Sequence, residues 1–381
     1  MSTKTNIAIL CGGATYEHEV SIISGIQIAQ NIDRKRYKPY FLYFDKNNQI
    51  FLIKEFSNNK QDFLRNKRIP VDLVARAGKL GIKPQSRFGT ELVVDVAYLA
   101  FHGGTGESGP VQGLLELYDV PFTGSGQEGV VIAMNKAITK EVLSRAGVPV
   151  LPWISVTSST CVQDTVGTQK MILETLPLPL IIKPVHLGSS IGIAIVRTEI
   201  ELEQQLALAA RTDSEILLEP ALRDFTEYNV SIRSNQGQVE CSPIEEPKRK
   251  GEVLSFDDKY ANGSKKGGGE GGGMGLLDRT VPADISKELA TEILNLAGKI
   301  YKSCRLEGML RIDFMFSEEK LYCTEINPIP GSASFYLWEP AGYTFQEQIT
   351  HDLEDAVWRQ AQKIRIEPYL TDIVEKFIDY R

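Results

Sequence analysis

The stretch LRIDFMFSEEKLYCTEIN, residues 310–327, has the alternating pattern of a β-hairpin. If residues 318–320 form a three-residue loop, Asp313 lies directly opposite Glu325. Two carboxylates held side by side repel each other unless a cation lies between them, and their oxygens suit Mg²⁺ bridged to nucleotide phosphates. The hairpin therefore predicts a metal-phosphate site. The alternative is a solvated hairpin whose charges face water.

The two faces of this hairpin are predicted to differ in polarity. Strand alternation places Arg311 and Asn327 on the face of the two carboxylates. Arg311 could there hold a phosphate or a developing oxyanion. The opposite face is predicted to be formed by Ile312, Phe314, Tyr322 and Ile326.

The start of the chain predicts an α/β domain with a parallel sheet. A strand at 6–10, a helix at 20–32 and a strand at 37–44 form a βαβ pattern. A near-continuous apolar run at 93–101 is typical of a strand buried on both faces. A helix is predicted at 127–146, and we place a domain boundary near its first residue.

Two further modules are predicted beyond this boundary. The smaller one, of α+β type, has strands at 151–156, 180–183, 192–196 and 215–219 and a helix at 199–210. The last part begins near residue 223 and contains strands, a helix near 285–304, the hairpin and a terminal helix. Its glycine-dense tract at 263–275 is predicted to be a mobile loop, because it cannot bury enough surface to offset its ordering entropy.

Three glycine-rich turns are candidate ligand sites. In IIKPVHLGSSIG (181–192) a strand delivers Lys183, and a turn then presents Gly188 and Ser189. Glycines let backbone N–H groups approach phosphate oxygens, although the segment is not a Walker motif and an ordinary hairpin turn is equally compatible.

The other two turns, LCGGATYEHEVSIISG (10–25) and AFHGGTGESGPVQG (100–113), follow predicted parallel strands, where open α/β sheets bind ligands. There Glu17 could bind an ammonium group and His102 could orient a carboxylate. A surface glutamate and a structural histidine are the alternatives. CGGATY lacks the G-x-G-x-x-G spacing, which argues against a dinucleotide site.

Bulk properties exclude several protein classes. A chain of 381 residues is too long for one compact core and predicts two or three domains. The net charge of −7 argues against a nucleic-acid partner. Five widely spaced cysteines without a CxxC pair predict neither zinc nor disulfides and fit a reducing cytoplasm. We expect no signal peptide and no transmembrane helix.

Several segments, in this order, closely resemble the D-alanyl-D-alanine ligase family of the ATP-grasp superfamily. They are EHEVSIISG, HGGTGESGPVQGLLE, MNKAITKEVLSRAGVPV, IIKPVHLGSSIG, DDKY, LRIDF and EINPIPG. The resemblance covers nearly the whole chain. It implies a Rossmann-like (pre-ATP-grasp) α/β domain at 1–126 that binds the first amino acid, followed by a two-module ATP-grasp fold. The central module would span 127–222 and the C-terminal module 223–381, with a mobile loop at about 251–279.

The resemblance also implies an activity and its cofactors. The chain would be an ATP-dependent carboxylate-amine ligase that forms D-alanyl-D-alanine for peptidoglycan through a D-alanyl phosphate, and would act as a homodimer. ATP would lie between the two ATP-grasp modules and contact Lys136, Lys183, Glu219, Leu222 and Glu227. Two Mg²⁺ or Mn²⁺ ions would be held by Asp313, Glu325 and Asn327.

Roles for the amino-acid substrates follow from the same resemblance. Glu17 would bind the amino group of the first amino acid, with His102 nearby. Ser189 would join Glu17 and Tyr260 in positioning that substrate. The remaining implied roles are oxyanion stabilisation by Arg311 and the Gly331 N–H, a contact of Lys259 with the transferred phosphate, and an approach of Ser334 to the second substrate's carboxylate.

Three departures from the family pattern leave the acceptor open. Ser108 follows Glu107 where the family has aspartate, the segment after Gly331 is about four residues shorter, and the glycine tract lengthens the loop after Tyr260. One alternative is a related ligase with a different acceptor amine in a specialised biosynthetic pathway. A second is a catalytically inactive module that binds a nucleotide or an amino acid. The retained lysine, arginine and paired carboxylates argue against the second, because a binder needs no oxyanion donor.

Overall fold

The computed structural model describes residues 4–53, 63, 66–86, 89–248, 278–363 and 377. Lys259, Tyr260 and the glycine tract at 263–275 lie outside the described residues. Within the described ranges, no helix is long and apolar enough to cross a membrane.

The first sheet is mixed, with a parallel centre and an antiparallel extension. Strand β1 (Thr5–Gly12) pairs in parallel with β2 (Tyr37–Phe44) and with β7 (Val96–Leu99). Helix α1 (His18–Asn31) connects β1 to β2, as predicted. The extension was not predicted and adds β3 (Ile50–Ile53), β4 (Arg68–Ala75), β5 (Leu80–Pro84) and β6 (Leu92–Val94), in the order β6-β5-β4-β3-β2-β1-β7.

The single strand predicted at 93–101 is wrong, because Asp95 divides the apolar run into β6 and β7. The Asp95 carboxylate accepts a hydrogen bond from the Asn6 N–H at 2.9 Å and pairs with Lys79 at 2.6 Å. A charged side chain with these partners at the edge of β1 cannot continue a strand that is buried on both faces. The two halves therefore occupy opposite ends of the strand order.

The single helix predicted at 127–146 is also divided. After α2 (Gly104–Glu107) and α3 (Pro110–Leu117), helix α4 covers Gln127–Met134 and α5 covers Lys136–Arg145. Asn135 between them is extended, and its side chain accepts the Ile138 N–H at 2.9 Å as an N-cap. The break starts a new helix at Lys136, which then faces the cleft between the modules.

The central module is a four-stranded antiparallel sheet covered by helices. Its strand order is β10-β9-β11-β8. Fully buried side chains of the sheet and the helices, including Ile172, Ile182, Leu202 and Ile216, form one core. The elements are β8 (Ile154–Thr157), α6 (Ser158–Gln163), α7 (Thr165–Thr175), β9 (Leu180–Pro184), β10 (Ala194–Val196), α8 (Glu199–Ala209) and β11 (Glu215–Pro220).

The C-terminal module contains a second four-stranded antiparallel sheet, in the order β13-β12-β16-β17. Helix α9 packs on it through the fully buried Ile293, Ala297 and Ile300. The elements are β12 (Thr226–Asn235), β13 (Gln238–Cys241), β14 (Glu246–Pro247), β15 (Arg279–Thr280), α9 (Lys287–Ser303), β16 (Met309–Ser317), β17 (Lys320–Asn327), α10 (Phe335–Trp338) and α11 (Phe345–Gln362), with 3-10 turns at Gly331–Ser334 and Glu339–Ala341. Strands β14 and β15 form a separate two-stranded ribbon.

The hairpin β16–β17 confirms the central pairing but not the predicted loop. Asp313 is opposite Glu325, as predicted. The turn has two residues, Glu318 and Glu319, both with positive φ, so the strands near it are offset by one position from the prediction. A β-bulge at Thr324 restores the register before the carboxylates.

One face assignment changes as a result of the two-residue turn. Tyr322 pairs with Met315 and is absent from the core, so its predicted place on the apolar face is wrong. Cys323 and Leu321 are buried in that core instead.

Helix α11 returns to the N-terminal sheet. Its side chains Ile349, Leu353 and Ala356 are buried in the same core as strand β1. The Tyr98 hydroxyl donates a hydrogen bond to the Asp352 carboxylate at 2.9 Å. Helix α11 of the third predicted unit therefore packs against the sheet of the first, and this holds the two units on either side of one cleft.

Candidate active site

One cleft brings together most of the predicted site residues from all three modules. Its empty volume, open to solvent, is about 1180 Å³. The predicted residues that line it are Glu17, His102, Lys136, Ser189, Glu227, Arg311, Asp313, Glu325, Asn327 and Gly331. An adjoining pocket shares four of these and adds Lys183, Glu219 and Leu222. Ser334 is fully buried and is not among the lining residues of either.

The paired carboxylates of the hairpin lie at the centre of the cleft. Both oxygens of Asp313 accept hydrogen bonds from Arg311, at 2.7 and 2.8 Å. The Asn327 amide donates to Asp313 at 3.1 Å, and Glu325 lies 3.7 Å from the Lys136 amine. Burial lowers the pKa of Arg311, but Asp313 outweighs this and raises it well above its ordinary value. Arg311 therefore stays charged.

The donor set fits Mg²⁺ only together with a ligand. No group of three His, Cys, Asp or Glu side chains that could hold a metal occurs within the described ranges. Asp313 and Glu325 supply two carboxylates, and the Asn327 side chain adds an amide oxygen. Mg²⁺ is usually held by one or two carboxylates, with water and substrate phosphates completing the shell. These residues therefore fit ions that arrive with a nucleotide.

A buried carboxylate lies between two lysines next to this centre. Glu219 is 2% exposed, its Oε2 lies 2.7 Å from the Lys140 amine, and its Oε1 is in direct contact with the Lys183 amine. Burial raises the pKa of Glu219, but the two lysines overcome this and hold it at about 2. The group is ionised at neutral pH and fixes the Lys183 amine at the wall of the adjoining pocket. Lys140 was not predicted.

The adjoining pocket is lined by both apolar and charged side chains. Such a lining fits a flat heteroaromatic base against the apolar side chains, with phosphates near the lysines. Strand alternation could have identified two of its apolar residues from the sequence. Ile181 lies two positions before Lys183, and Met315 two positions after Asp313, so each shares the face of a predicted site residue. The apolar lining residues are Leu151, Ile181, Ile193, Ile195, Pro220, Ala221, Leu222, Phe225 and Met315.

Glu17 connects the N-terminal domain to the central module. The Ser189 hydroxyl donates a hydrogen bond to Glu17. Ser189 and Ser190 have left-handed backbones, with φ of 52° and 61°. This turn aims the Ser189 hydroxyl across the cleft and brings Gly188 close to the same carboxylate, where a Cβ would lie 3.3 Å from its oxygen. Two of the three glycine-rich turns predicted to bind ligands thus meet at Glu17.

His102 and Glu107 form a buried polar layer below Glu17. The ring of His102 is hydrogen-bonded to the Ser24 hydroxyl at 2.7 Å, and burial lowers its pKa to about 4. His102 is therefore neutral at physiological pH. Glu107 accepts N–H groups from Gly103 at 2.6 Å and from Ile329 at 3.0 Å. Burial and the nearby Glu17 nevertheless raise its pKa to about 8. Glu107 was not predicted as a site residue.

Two family models match the chain. The model described as D-ala D-ala ligase N-terminus matches residues 6–125, and that described as D-ala D-ala ligase C-terminus matches residues 142–353. The fold, the cleft and these matches define an ATP-dependent ligase that forms a carbon-nitrogen bond. The chain belongs to the D-alanine–D-alanine ligase family.

Relatives of known sequence and structure match nine tenths or more of this chain. The chain is 32% identical over 373 residues to the D-alanine–D-alanine ligase of Thermoanaerobacter sp. (strain X514), covering 95% of this chain and 99% of the relative. It is 31% identical to that of Thermosipho africanus, covering 90% and 91%. The solved structure of the D-alanine–D-alanine ligase from Coxiella burnetii is similar with a TM-score of 0.78 and 26% identity, covering 100% and 98%.

A further solved structure shows the same fold. The VanG D-Ala:D-Ser ligase from Enterococcus faecalis is similar with a TM-score of 0.76 and 22% identity, covering 93% of this chain and 100% of that one. The mixed α/β architecture predicted from the sequence is thereby confirmed.

Proposed function

We propose that this protein joins two molecules of D-alanine at the expense of ATP and supplies D-alanyl-D-alanine for peptidoglycan. The observation that carries the proposal is the meeting of Glu17, Ser189 and Asp313 in one cleft, each from a different part of the chain. Family membership and the names of the relatives support the substrate. We also propose a cytoplasmic homodimer without a nucleic-acid partner, on the cysteine pattern, the charge and the family resemblance.

The first half of the proposed reaction activates the donor carboxylate. Glu17 binds the donor ammonium, so the donor carboxylate points toward Arg311 and the phosphates. A carboxylate oxygen attacks the γ-phosphorus of ATP, ADP leaves, and a D-alanyl phosphate forms. Lys136 and Lys183 neutralise charge on the phosphates. Two Mg²⁺ (or Mn²⁺) ions held by the hairpin carboxylates and Asn327 would supply further charge neutralisation when bound.

The second half forms the peptide bond. The neutral amine of the second D-alanine attacks the acyl carbon, and negative charge develops on the carbonyl oxygen. We assign the stabilisation of this oxyanion to Arg311 and the Gly331 N–H, since both line the cleft beside the metal residues. The tetrahedral species then collapses, the bond between the acyl carbon and the phosphate oxygen breaks, and the released phosphate takes up the proton that the attacking amine loses. For Lys259 and Tyr260, which lie outside the described residues, we propose the roles that the resemblance implies.

Phosphate release from ATP and Mg²⁺ in the presence of D- and L-amino acids, singly and in pairs, tests this function. We expect release with D-alanine alone and a product with the mass of D-alanyl-D-alanine. Release only with a mixed pair would replace this proposal with a ligase for another acceptor amine. ATP binding without phosphate release in any mixture would replace it with a binding module.

A pair of matched variants tests the metal assignment. Glu325→Gln keeps the shape of a side chain that lies in the cleft, and we expect kcat to fall by roughly 10²-fold or more, because charge stabilisation at the transferred phosphate is lost. Glu319→Gln makes the same change at an exposed turn residue of the same hairpin and should leave kcat unchanged. Equal activity of the two variants would refute the assignment.

A further inference from the structure

A tyrosine of the C-terminal module occupies the place that the sequence assigned to a serine. Tyr336 lies on the short helix α10 and lines the cleft. Ser334, two residues earlier, is fully buried, and its hydroxyl has no hydrogen-bond partner within the described ranges. The three residues 332–334 all have positive φ, between 47° and 52°. This left-handed turn presents Tyr336, not Ser334, to the cleft.

Two arginines hold the Tyr336 ring, one at its hydroxyl and one on its face. Its hydroxyl accepts a hydrogen bond from Arg311 at 3.5 Å, and the Arg279 guanidinium carbon lies 4.1 Å from the ring centroid. Arg279 is itself fixed by Glu245 at 2.9 Å, and Glu245 accepts a hydrogen bond from Asn229 at 3.1 Å. A ring with a cation on its face and a second cation at its hydroxyl loses both contacts if it swings aside. Tyr336 is therefore a rigid wall.

The position of this wall relative to Arg311 identifies the substrate that it faces. Glu17 and Ser189 bind each other at the donor end of the cleft, whereas Tyr336 contacts Arg311 and Arg279. Arg311 lies between the two groups, because it holds Asp313 with two nitrogens and Tyr336 with the third. A nucleophile that approaches an acyl carbon beside Arg311 must avoid both the donor and the metal carboxylates. The remaining side of Arg311 is the one lined by Tyr336.

We propose that Tyr336, held between Arg279 and Arg311, limits the size of the second amino acid. The subsite takes an amino acid whose side chain is a hydrogen, a methyl or a hydroxymethyl group and excludes branched and aromatic side chains. Arg279 and Glu245 are positioning residues that keep the ring in place. The inference rests on the proposed function, which supplies the donor and the acceptor.

Two assays separate the acceptor from the donor. Hydroxylamine traps the acyl phosphate as a hydroxamate and releases phosphate, so hydroxamate formation from D-alanine and ATP reports the donor half alone. Competition between D-alanine and D-valine for the same acyl phosphate, read by mass as the ratio of the two dipeptides, reports acceptor choice and is independent of total activity. A wild-type protein that forms no hydroxamate would overturn the proposed function and this inference together.

Variants of the ring test the size limit. We expect Tyr336→Ala to raise the ratio of D-alanyl-D-valine to D-alanyl-D-alanine at least tenfold, with the donor KM for hydroxamate formation unchanged within twofold. Tyr336→Phe keeps the volume and should keep the wild-type ratio. If Tyr336→Ala does not fold, Tyr336→Leu tests the same loss of ring volume. An unchanged ratio in the Ala or Leu variant, or an equal rise in the Phe variant, would overturn the inference while the proposed function stands.

A positioning variant and a matched control complete the test. Arg279→Met replaces the guanidinium group with a shorter, uncharged and unbranched side chain, and we expect a ratio between those of wild type and Tyr336→Ala, again with the donor KM unchanged. Leu353→Ala removes a buried side chain of helix α11 that does not line the cleft. It should lower thermal stability and leave the ratio at the wild-type value. A wild-type ratio for Arg279→Met would show that Arg279 does not position the Tyr336 ring.

Discussion

We expect Glu219→Gln to destabilise the central module more than a glutamate-to-glutamine substitution at an exposed position of the same module. The Glu219 side chain is 2% exposed, and its two partners Lys140 and Lys183 are 6% and 11% exposed. Removing one charge of a buried group leaves the others without compensation, which typically costs about 3–5 kcal/mol. Two lysines share this one carboxylate, so we expect a loss in that range even though glutamine still offers one oxygen.

Denaturant unfolding at neutral pH measures this loss, with Glu174→Gln as control. Glu174 pairs with Lys170 on helix α7 of the same module, but both side chains are mostly exposed, so its loss should cost about 0.5 kcal/mol or less. Glu219→Gln should also weaken ATP binding, because Lys183 loses its anchor. Equal unfolding free energies for the two variants would refute the reasoning that the buried triad stabilises the module.

The pH dependence of the Glu219 effect provides a second check. The folded-state pKa of about 2 lies below the ordinary value of 4.5, so the stabilisation is complete above the ordinary value and is lost as pH falls through the folded one. The difference in stability between wild type and Glu219→Gln should therefore shrink between those two values. A difference that stays constant across this window would show that the carboxylate charge is not its source.

Two further changes are predicted from the N-terminal domain. The pKa of Glu107 is raised to about 8 from an ordinary 4.5, so its folded state retains a proton that the unfolded state has lost, and stability falls as pH rises through this window. Glu107→Gln should flatten that fall in denaturant unfolding, and an unchanged slope would contradict the assignment. Gly106→Ala should lower the unfolding free energy by about 1–3 kcal/mol, because its methyl would lie 2.2 Å from the Phe101 ring. Thermal unfolding measures this against Gly298→Ala, whose methyl meets nothing within 4 Å, and a drop no larger than in that control would refute it.

The alternation of side chains predicted the central pairing of the hairpin correctly, although the predicted turn was wrong. The pairing of Asp313 with Glu325 is confirmed, although the turn is one residue shorter than predicted. The bulge at Thr324 adds one unpaired residue to the second strand and so compensates for the shorter turn. The register at the two carboxylates is therefore the predicted one. Tyr322 lies in the offset part, and its face was therefore wrong. A bulge leaves no periodic signal, because it is a single unpaired residue.

Two long apolar runs led to wrong predictions of element boundaries, because each run contains a polar residue that separates two elements. Residues 93–101 and 127–146 each read as one element by hydrophobicity. Asp95 and Asn135 divide them through hydrogen bonds to backbone groups, one of them in a distant strand. Periodicity records which residues are apolar and not which polar residue finds a backbone hydrogen-bond partner.

By itself, the sequence determined the α/β order of the chain, the hairpin with its facing carboxylates, and the presence of the glycine-rich turns, because each depends on residues close together along the chain. Only the tertiary structure decided that Lys140 and Lys183 share Glu219, that Glu107 lies beneath Glu17, and that Tyr336 rather than Ser334 faces the cleft. These facts depend on burial and on contacts between distant modules, and no local pattern of side chains encodes either.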